Sequence, residues 1–241
     1  MAPPVGLRLI AVDRPGYGNS DANRKNRSLK DLAVDVDSLT RHLGIGRFAV
    51  VGVSGGGPMA AACGYYLKNK VTALSLICAV PPPFAIKGGS LANLVRLGRW
   101  PAMGRPALNL ARSFMRQPGR AEAALFGRKL PGRDEAIMTR ERRVALLAAV
   151  REGLRRDIDG ALADGMLYGQ DWGFRLQDIA VSTTIWHGDH DDVVPVASAQ
   201  AYAAIPGSVL RVMKGEGHYS LALGQTEMMM ADLLARAAVT K

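Results

Sequence analysis

The sequence predicts an α/β protein: a mostly parallel β-sheet flanked by helices, with a block of helices inserted partway along it. Two observations lead there. Short apolar, β-branched runs alternate with segments of helical periodicity over residues 1–83 and again over 179–241, and strands that alternate with helices along a chain pair in parallel. Between them, over 84–178, strand signals stop. Helical segments follow one another there, punctuated by Gly88-Gly89, Pro101, Gly104, Pro118-Gly119 and Pro131-Gly132. The expected organisation is a core of 1–83 and 179–241 carrying a helical cap of 84–178.

The elements follow in order. Leu7–Asp13 is an apolar run closed by Arg14-Pro15-Gly16-Tyr17-Gly18-Asn19-Ser20-Asp21, where proline and the glycines turn the chain; the run is expected to be a buried parallel strand. Ser28-Leu29-Lys30-Asp31 has the spacing of a capping box, and Leu29, Leu32, Val36, Leu39 and Leu43 recur at helical intervals up to Gly44, a stop. A strand over 47–53, a sharp turn at Gly52-Val53-Ser54-Gly55-Gly56, an alanine-rich helix to about Asn69 and a buried strand Val71–Val80 come next. After the helical block the pattern resumes with a strand Val181–Trp186, a loop His187–Pro195 and a helix from Ala197 to about Ala204. A last strand Ser208–Met213, a loop Lys214–His218 and a closing helix complete the chain.

Composition limits the function. A chain of 241 residues, 48% hydrophobic, can bury a core and is not a disordered chain. No apolar run approaches the roughly 18 to 20 residues of a membrane span, and Met1-Ala2-Pro3-Pro4 lacks the regions of a secretory signal, so a cytoplasmic protein with no membrane partner is expected. Cys63 and Cys78 read as small buried residues, with neither a disulfide nor a metal site. The net charge of +10 comes mostly from arginine in the middle third. Without a nucleic-acid motif or interleaved aromatics, it reads as a solvated helix surface rather than a nucleic-acid footprint. Recruitment of an acidic protein partner is the competing use for that charge.

The strand, turn and helix around Ser54 carry the chemistry. A Gly-x-Ser-x-Gly turn forces its serine into a strained backbone, and glycines at 52 and 56 are expected because a Cβ there would meet the strand or the helix. A serine hydroxyl needs a base to become a nucleophile, and the imidazolium so formed needs a carboxylate. Asp191 and His218 each follow a predicted strand, and loops after parallel strands gather at one edge of the sheet, beside Ser54. Asp189 and Asp192 compete with Asp191 for the role. Asp13 reads as part of its turn. His187 and His190, three residues apart in a glycine-containing loop, lack helical register and a third convincing ligand, so no metal is expected. The aromatics Phe84, Trp100, Phe114, Phe126, Tyr168, Trp172 and Phe174 read as internal packing, with the lining of an apolar pocket as the alternative.

Gly52–Gly56, Asp13–Ser20, Gly188–Pro195 and Gly215–His218 together, in this order, resemble the α/β-hydrolase fold superfamily. The resemblance covers about 1–83 and 179–241. It implies Ser54 as nucleophile, His218 as general base and acid, Asp191 as partner of the imidazole, and the N–H of Gly55 as an oxyanion donor, with no cofactor. Small-molecule esters are the leading implied substrate class, cleaved through an acyl-enzyme, with amides, lactones and carbon-carbon bonds open to the same three residues. Family members described as cofactor-free peroxidases share the same residues. Such a sheet usually begins with three strands before the one at Leu7, the third lying between Leu7–Asp13 and Phe48–Val53 and followed by a His-Gly loop with a second oxyanion donor. No such segment is present, so an amino-terminally incomplete chain, with a reading frame extending upstream of Met1, is expected. A non-catalytic binding protein of the same fold is the competing reading.

Overall fold

The computed structural model describes residues 7–21, 27–86 and 89–239. Met1–Gly6, where the amino-terminal expectation falls, and the breaker Gly88 lie outside the described residues. Helix α1, Leu29–His42, begins as its sequence requires: Ser28 is the N-cap, its hydroxyl accepting from the Asp31 N–H while the Asp31 carboxylate accepts from the Ser28 N–H. Gly44, at a φ of 68°, ends it.

Four strands form one sheet in the order β1-β2-β3-β4: β1 Phe48–Val53, β2 Val71–Ile77, β3 Thr183–Gly188 and β4 Val209–Met213, with all three pairings parallel. β3 starts two residues later than its apolar run suggests. Val53, Ile77, Trp186 and Arg211 lie level across the sheet, so every strand ends at the same edge. Helix α2, Gly57–Tyr66, packs on β1 and β2 and against α1. Leu74, Leu76, Ala61, Ile179 and Tyr202 form the core on that face. On the other face Ile77, Trp186, Leu221 and Met229 pack together.

Leu7–Asp13 departs from expectation. It is not a strand: no ladder forms, and Leu9, Ile10 and Val12 are 68%, 37% and 49% exposed. A strand exists only where a neighbour receives its N–H and C=O groups, and among the described residues β1 pairs with β2 alone. An apolar run without that neighbour stays irregular.

Between β2 and β3 the chain is helical: α3 Gly89–Arg99, α4 Pro101–Met115, α5 Pro118–Phe126, α6 Asp134–Ile137, α7 Arg140–Gly153 and α8 Asp159–Gly169. Its arginines are not a simple solvated face. Arg112 donates to the carbonyls of Leu154, Arg155 and Arg156 beyond α7, Arg151 to Met115 at the end of α4, and Arg142 and Arg143 to Ile137 and Met138 at the end of α6. These guanidiniums sit at the C-terminal ends of α4, α6 and α7, where carbonyls lack intrahelical partners and the macrodipole favours a cation. Arg155 and Arg156 reach further, to carbonyls of Gly18 and Ser20.

The aromatics divide. Phe126, Tyr168 and Trp172 are buried, whereas Phe84 and Trp100 are 78% and 65% exposed. Helix α9, Ala197–Tyr202, follows the loop after β3. The single closing helix expected is two, α10 His218–Gly224 and α11 Thr226–Val239. Among the described residues no helix is long and apolar enough to cross a membrane.

Candidate active site

Ser54 stands one residue past β1 with a φ of 51°, in the left-handed region that non-glycine residues rarely occupy. The strained turn is held by its surroundings: the N–H of Val80 and the N–H of Gly57 both donate to the Ser54 carbonyl. Gly52 is required, since a Cβ there would run into Ala60 and the Gly56 carbonyl. The second requirement is not Gly56, which has open space around it, but Gly57, where a Cβ would strike Ala79. The α2 end of the turn packs against the chain leaving β2, a contact between distant segments that the local motif does not encode.

Asp191 lies in the loop after β3, buried, and its Oδ1 accepts the N–H groups of Val193 and Val194 at 2.9 and 2.8 Å. Its Oδ2 faces His218 Nδ1 at 2.7 Å. His218 Nε2 in turn lies 3.0 Å from Ser54 Oγ. Burial opposes ionisation of Asp191, but the hydrogen bond from His218 and the Val194 N–H outweigh it, holding the carboxyl below the usual carboxylate range. A buried carboxylate fixes the imidazole with Nδ1 protonated, which leaves Nε2 free to accept the serine proton. Such a chain can take a proton from an alcohol and return it to a leaving group.

His218 is not in a loop, as expected, but is the first residue of α10. Gly188 explains how it reaches the site: a Cβ there would strike the carbonyl of Glu216, so the chain after β4 can cross directly over the end of β3. The competing carboxylates are turned elsewhere, Asp189 accepting from Gly215 N–H and Asp192 pairing with Arg128. Asp13 accepts the Asn19 N–H and closes its own turn. His187 and His190 do not converge. His187 Nε2 meets the Val194 carbonyl at 2.8 Å, and His190 packs by Gly132. Burial outweighs that carbonyl and nearby Asp191, and holds His187 below the ordinary imidazole range.

Among the described residues, one trio offers metal-ligating atoms close together, Cys78, Asp191 and His218, within 4.8 Å; the two that face each other are already hydrogen-bonded. Cys63 and Cys78 are both buried, as expected, and burial pushes the Cys63 thiol up to about 12.

Two residues of the helical segment reach the site, Tyr168, which the sequence offered only as packing or pocket lining, and Asp134, which it did not offer at all. Tyr168 on α8 donates its hydroxyl to the Gly55 carbonyl at 3.0 Å, and a Cβ on Gly55 would run into that hydroxyl. Asp134, the first residue of α6, is buried and accepts the N–H groups of His218 and Ser220. For Asp134 the available signal was indirect: Gly217, just before α10, brings no side chain of its own to cap the helix. Val80, Leu91, Tyr168 and Val194 form an apolar cluster beside the strand ends. A separate surface pocket of about 340 Å³, lined by Phe84, Ala85, Pro195, Ala197, Ser198, Gln200 and Ala201, does not include Ser54 or His218.

The sequence and the fold match known proteins. The sequence profile described as "Alpha/beta hydrolase family" matches residues 2–234, so the chain belongs to the alpha/beta hydrolase family. It is 25% identical over 238 residues to a non-heme haloperoxidase of Rhodococcus erythropolis, covering 95% of this chain and 82% of that protein. It is 27% identical over 222 residues to a 2-hydroxy-6-oxononadienedioate/2-hydroxy-6-oxononatrienedioate hydrolase of Klebsiella pneumoniae, covering 90% and 72%. Among solved structures, an esterase from Exiguobacterium antarcticum superposes with a TM-score of 0.65 at 22% identity, covering 93% of this chain and 79% of that one.

Proposed function

We propose that the protein hydrolyses small carboxylic esters through an acyl-enzyme, with Ser54 as nucleophile, His218 as base and acid, Asp191 as the carboxylate and the Gly55 N–H as an oxyanion donor. The observation that carries this reading is the continuous line from Ser54 Oγ through both nitrogens of His218 to buried Asp191, set on a turn whose strain exposes the hydroxyl. Ser54 Oγ attacks the ester carbonyl carbon as its proton passes to His218 Nε2. The carbonyl π pair moves to oxygen, and the tetrahedral anion is stabilised by the Gly55 N–H. Collapse expels the alkoxide, which takes the proton from His218. Water then repeats the sequence on the acyl-enzyme and releases the acid and free Ser54.

In this reading 1–83 and 179–241 form the catalytic core and 84–178 is a cap that forms the walls of the substrate site. The apolar cluster of Val80, Leu91, Tyr168 and Val194 supports an apolar acyl group. The likeness to a non-heme haloperoxidase favours a second outcome for the same acyl-enzyme, attack by hydrogen peroxide in place of water to give a peracid.

A fluorophosphonate probe tests the reading. Labelling of the wild type that disappears in Ser54→Ala is expected, together with turnover of a graded series of acyl esters. Folded protein that takes no label would instead be a binding protein built on this fold.

A further inference from the structure

Helix α10 carries His218 at its first position, and a helix start leaves backbone N–H groups without internal partners. Most helices meet them with the side chain of the preceding residue. Here that residue is Gly217, and the N–H groups of His218 and Ser220 go to one carboxylate, Asp134, at 3.0 and 2.7 Å. The Gly217 N–H goes to Ser220 Oγ. Asp134 is wholly buried, and it comes from α6, in the helical segment between β2 and β3.

The neighbourhood is shaped for this contact. A Cβ on Gly217 would collide with the Asp134 carboxylate and with no atom closer, so the missing side chain makes the space that the carboxylate fills. The chain just before Asp134 is tied to the same loop: Arg133 N–H donates to the Gly215 carbonyl, and the Arg133 guanidinium pairs with buried Glu216 at 3.0 Å.

We propose that Asp134 is a positioning residue for His218, supplied by the helical segment rather than by the core. The imidazole is then oriented from two sides: Asp191 sets the ring through Nδ1, and Asp134 sets the backbone from which the ring projects. A single carboxylate takes two N–H groups two residues apart, which fixes both the start and the direction of α10. A charge-assisted hydrogen bond is also stronger than a neutral one at the same place. The inference rests on Ser54 and His218 acting as described above.

The test uses the glycine. In Asp134→Ala the space beside residue 217 is vacated, and the backbone there, at φ −99° and ψ −158°, is one that an aspartate N-cap adopts without strain. Gly217→Asp on that background returns a carboxylate to the helix start from within the core. Esterase kcat and KM, fluorophosphonate labelling rate and thermal melting are measured for the wild type, Asp134→Ala, Gly217→Asp and the double variant.

Expected is a fall in kcat of about 10- to 100-fold in Asp134→Ala, the range seen when groups that orient a functional histidine are removed, with KM within about threefold. Labelling should slow in parallel. Gly217→Asp alone should be impaired by collision with Asp134, while the double variant should recover most of the lost rate. A general loss of packing would not reverse in this way. A folded Asp134→Ala with wild-type kcat overturns the proposal, as does a folded double variant no faster than Gly217→Asp alone. Should Asp134→Ala fail to fold, the double variant against Gly217→Asp decides alone. Absence of Ser54-dependent labelling in the wild type overturns the parent reading and this one with it; full labelling in both wild type and Asp134→Ala overturns only this one.

Discussion

The two halves of the site are held by different forces. On the Asp191–His218 side, polar contacts do the positioning: two N–H groups on Asp191 Oδ1, the imidazole on its Oδ2, and Asp134 beneath the start of α10. On the Ser54 side, backbone geometry and close packing dominate: a left-handed Ser54, tight contacts at Gly52 and Gly57, and the Tyr168 hydroxyl on the Gly55 carbonyl. The contrast follows from the chemistry. A buried carboxylate and the imidazole it faces need preorganised polar partners in a low dielectric, whereas a neutral hydroxyl needs only to be placed.

The contrast fails if the polar side tolerates loss of a partner. Asp191→Asn should lower kcat about 10⁴-fold while leaving the fold intact, because the amide no longer holds the imidazole in the tautomer that can accept from Ser54. Steady-state kinetics with far-ultraviolet dichroism as the folding control checks this. On the Ser54 side the expected damage is steric. Gly52→Ala should destabilise by about 1–3 kcal/mol through its collision with Ala60 and the Gly56 carbonyl, while Gly56→Ala, facing open space, should change stability by less than about 0.5 kcal/mol. Urea denaturation of the pair separates them, and equal costs would show that the turn is not limited by packing. Tyr168→Phe, which removes only the hydroxyl on the Gly55 carbonyl, should cost about 1 kcal/mol in the same assay.

The smallest effect is in pH dependence. His187 is buried with its pKa held below the ordinary value, so the unfolded chain binds a proton that the folded chain resists. Its stabilising contribution is complete above about pH 6.5 and is lost as pH falls from there through the folded pKa, at a slope of at most about 1.4 kcal/mol per pH unit. Asp191 acts in a lower window: its depressed pKa gives stability that is present above about pH 3.9 and lost below it. Denaturation midpoints between pH 7 and 4.5 should therefore fall in the wild type and flatten in His187→Gln.

Local patterns suffice for part of the fold. The capping box at Ser28, the parallel strands at 48–53 and 71–77, and the order of Ser54, Asp191 and His218 were legible because each rests on neighbours within a few residues or on the strand ends of one parallel sheet. Leu7–Asp13 was misread because a strand is a relation between two segments, and its apolar pattern says nothing of a partner. Most arginines of the helical segment are exposed, as a solvated surface requires, but the roles of Arg112, Arg142 and Arg151 were not legible for a related reason. Composition counts charges, but only tertiary contact shows them closing helix ends at Leu154, Met115 and Ile137.

By itself, then, the sequence determined the fold class, the strained serine turn and the residues that meet at the edge of the sheet, because backbone sterics and hydrophobic periodicity are local. Only the tertiary structure decided that Gly57 rather than Gly56 needs its missing side chain, that His218 opens a helix, and that Tyr168 and Asp134 reach in from the helical segment. Asp134 and His218 lie 84 positions apart, and no local rule links a buried carboxylate to the helix start it satisfies. That pairing exists because a buried N–H must find an acceptor wherever the folded chain can bring one.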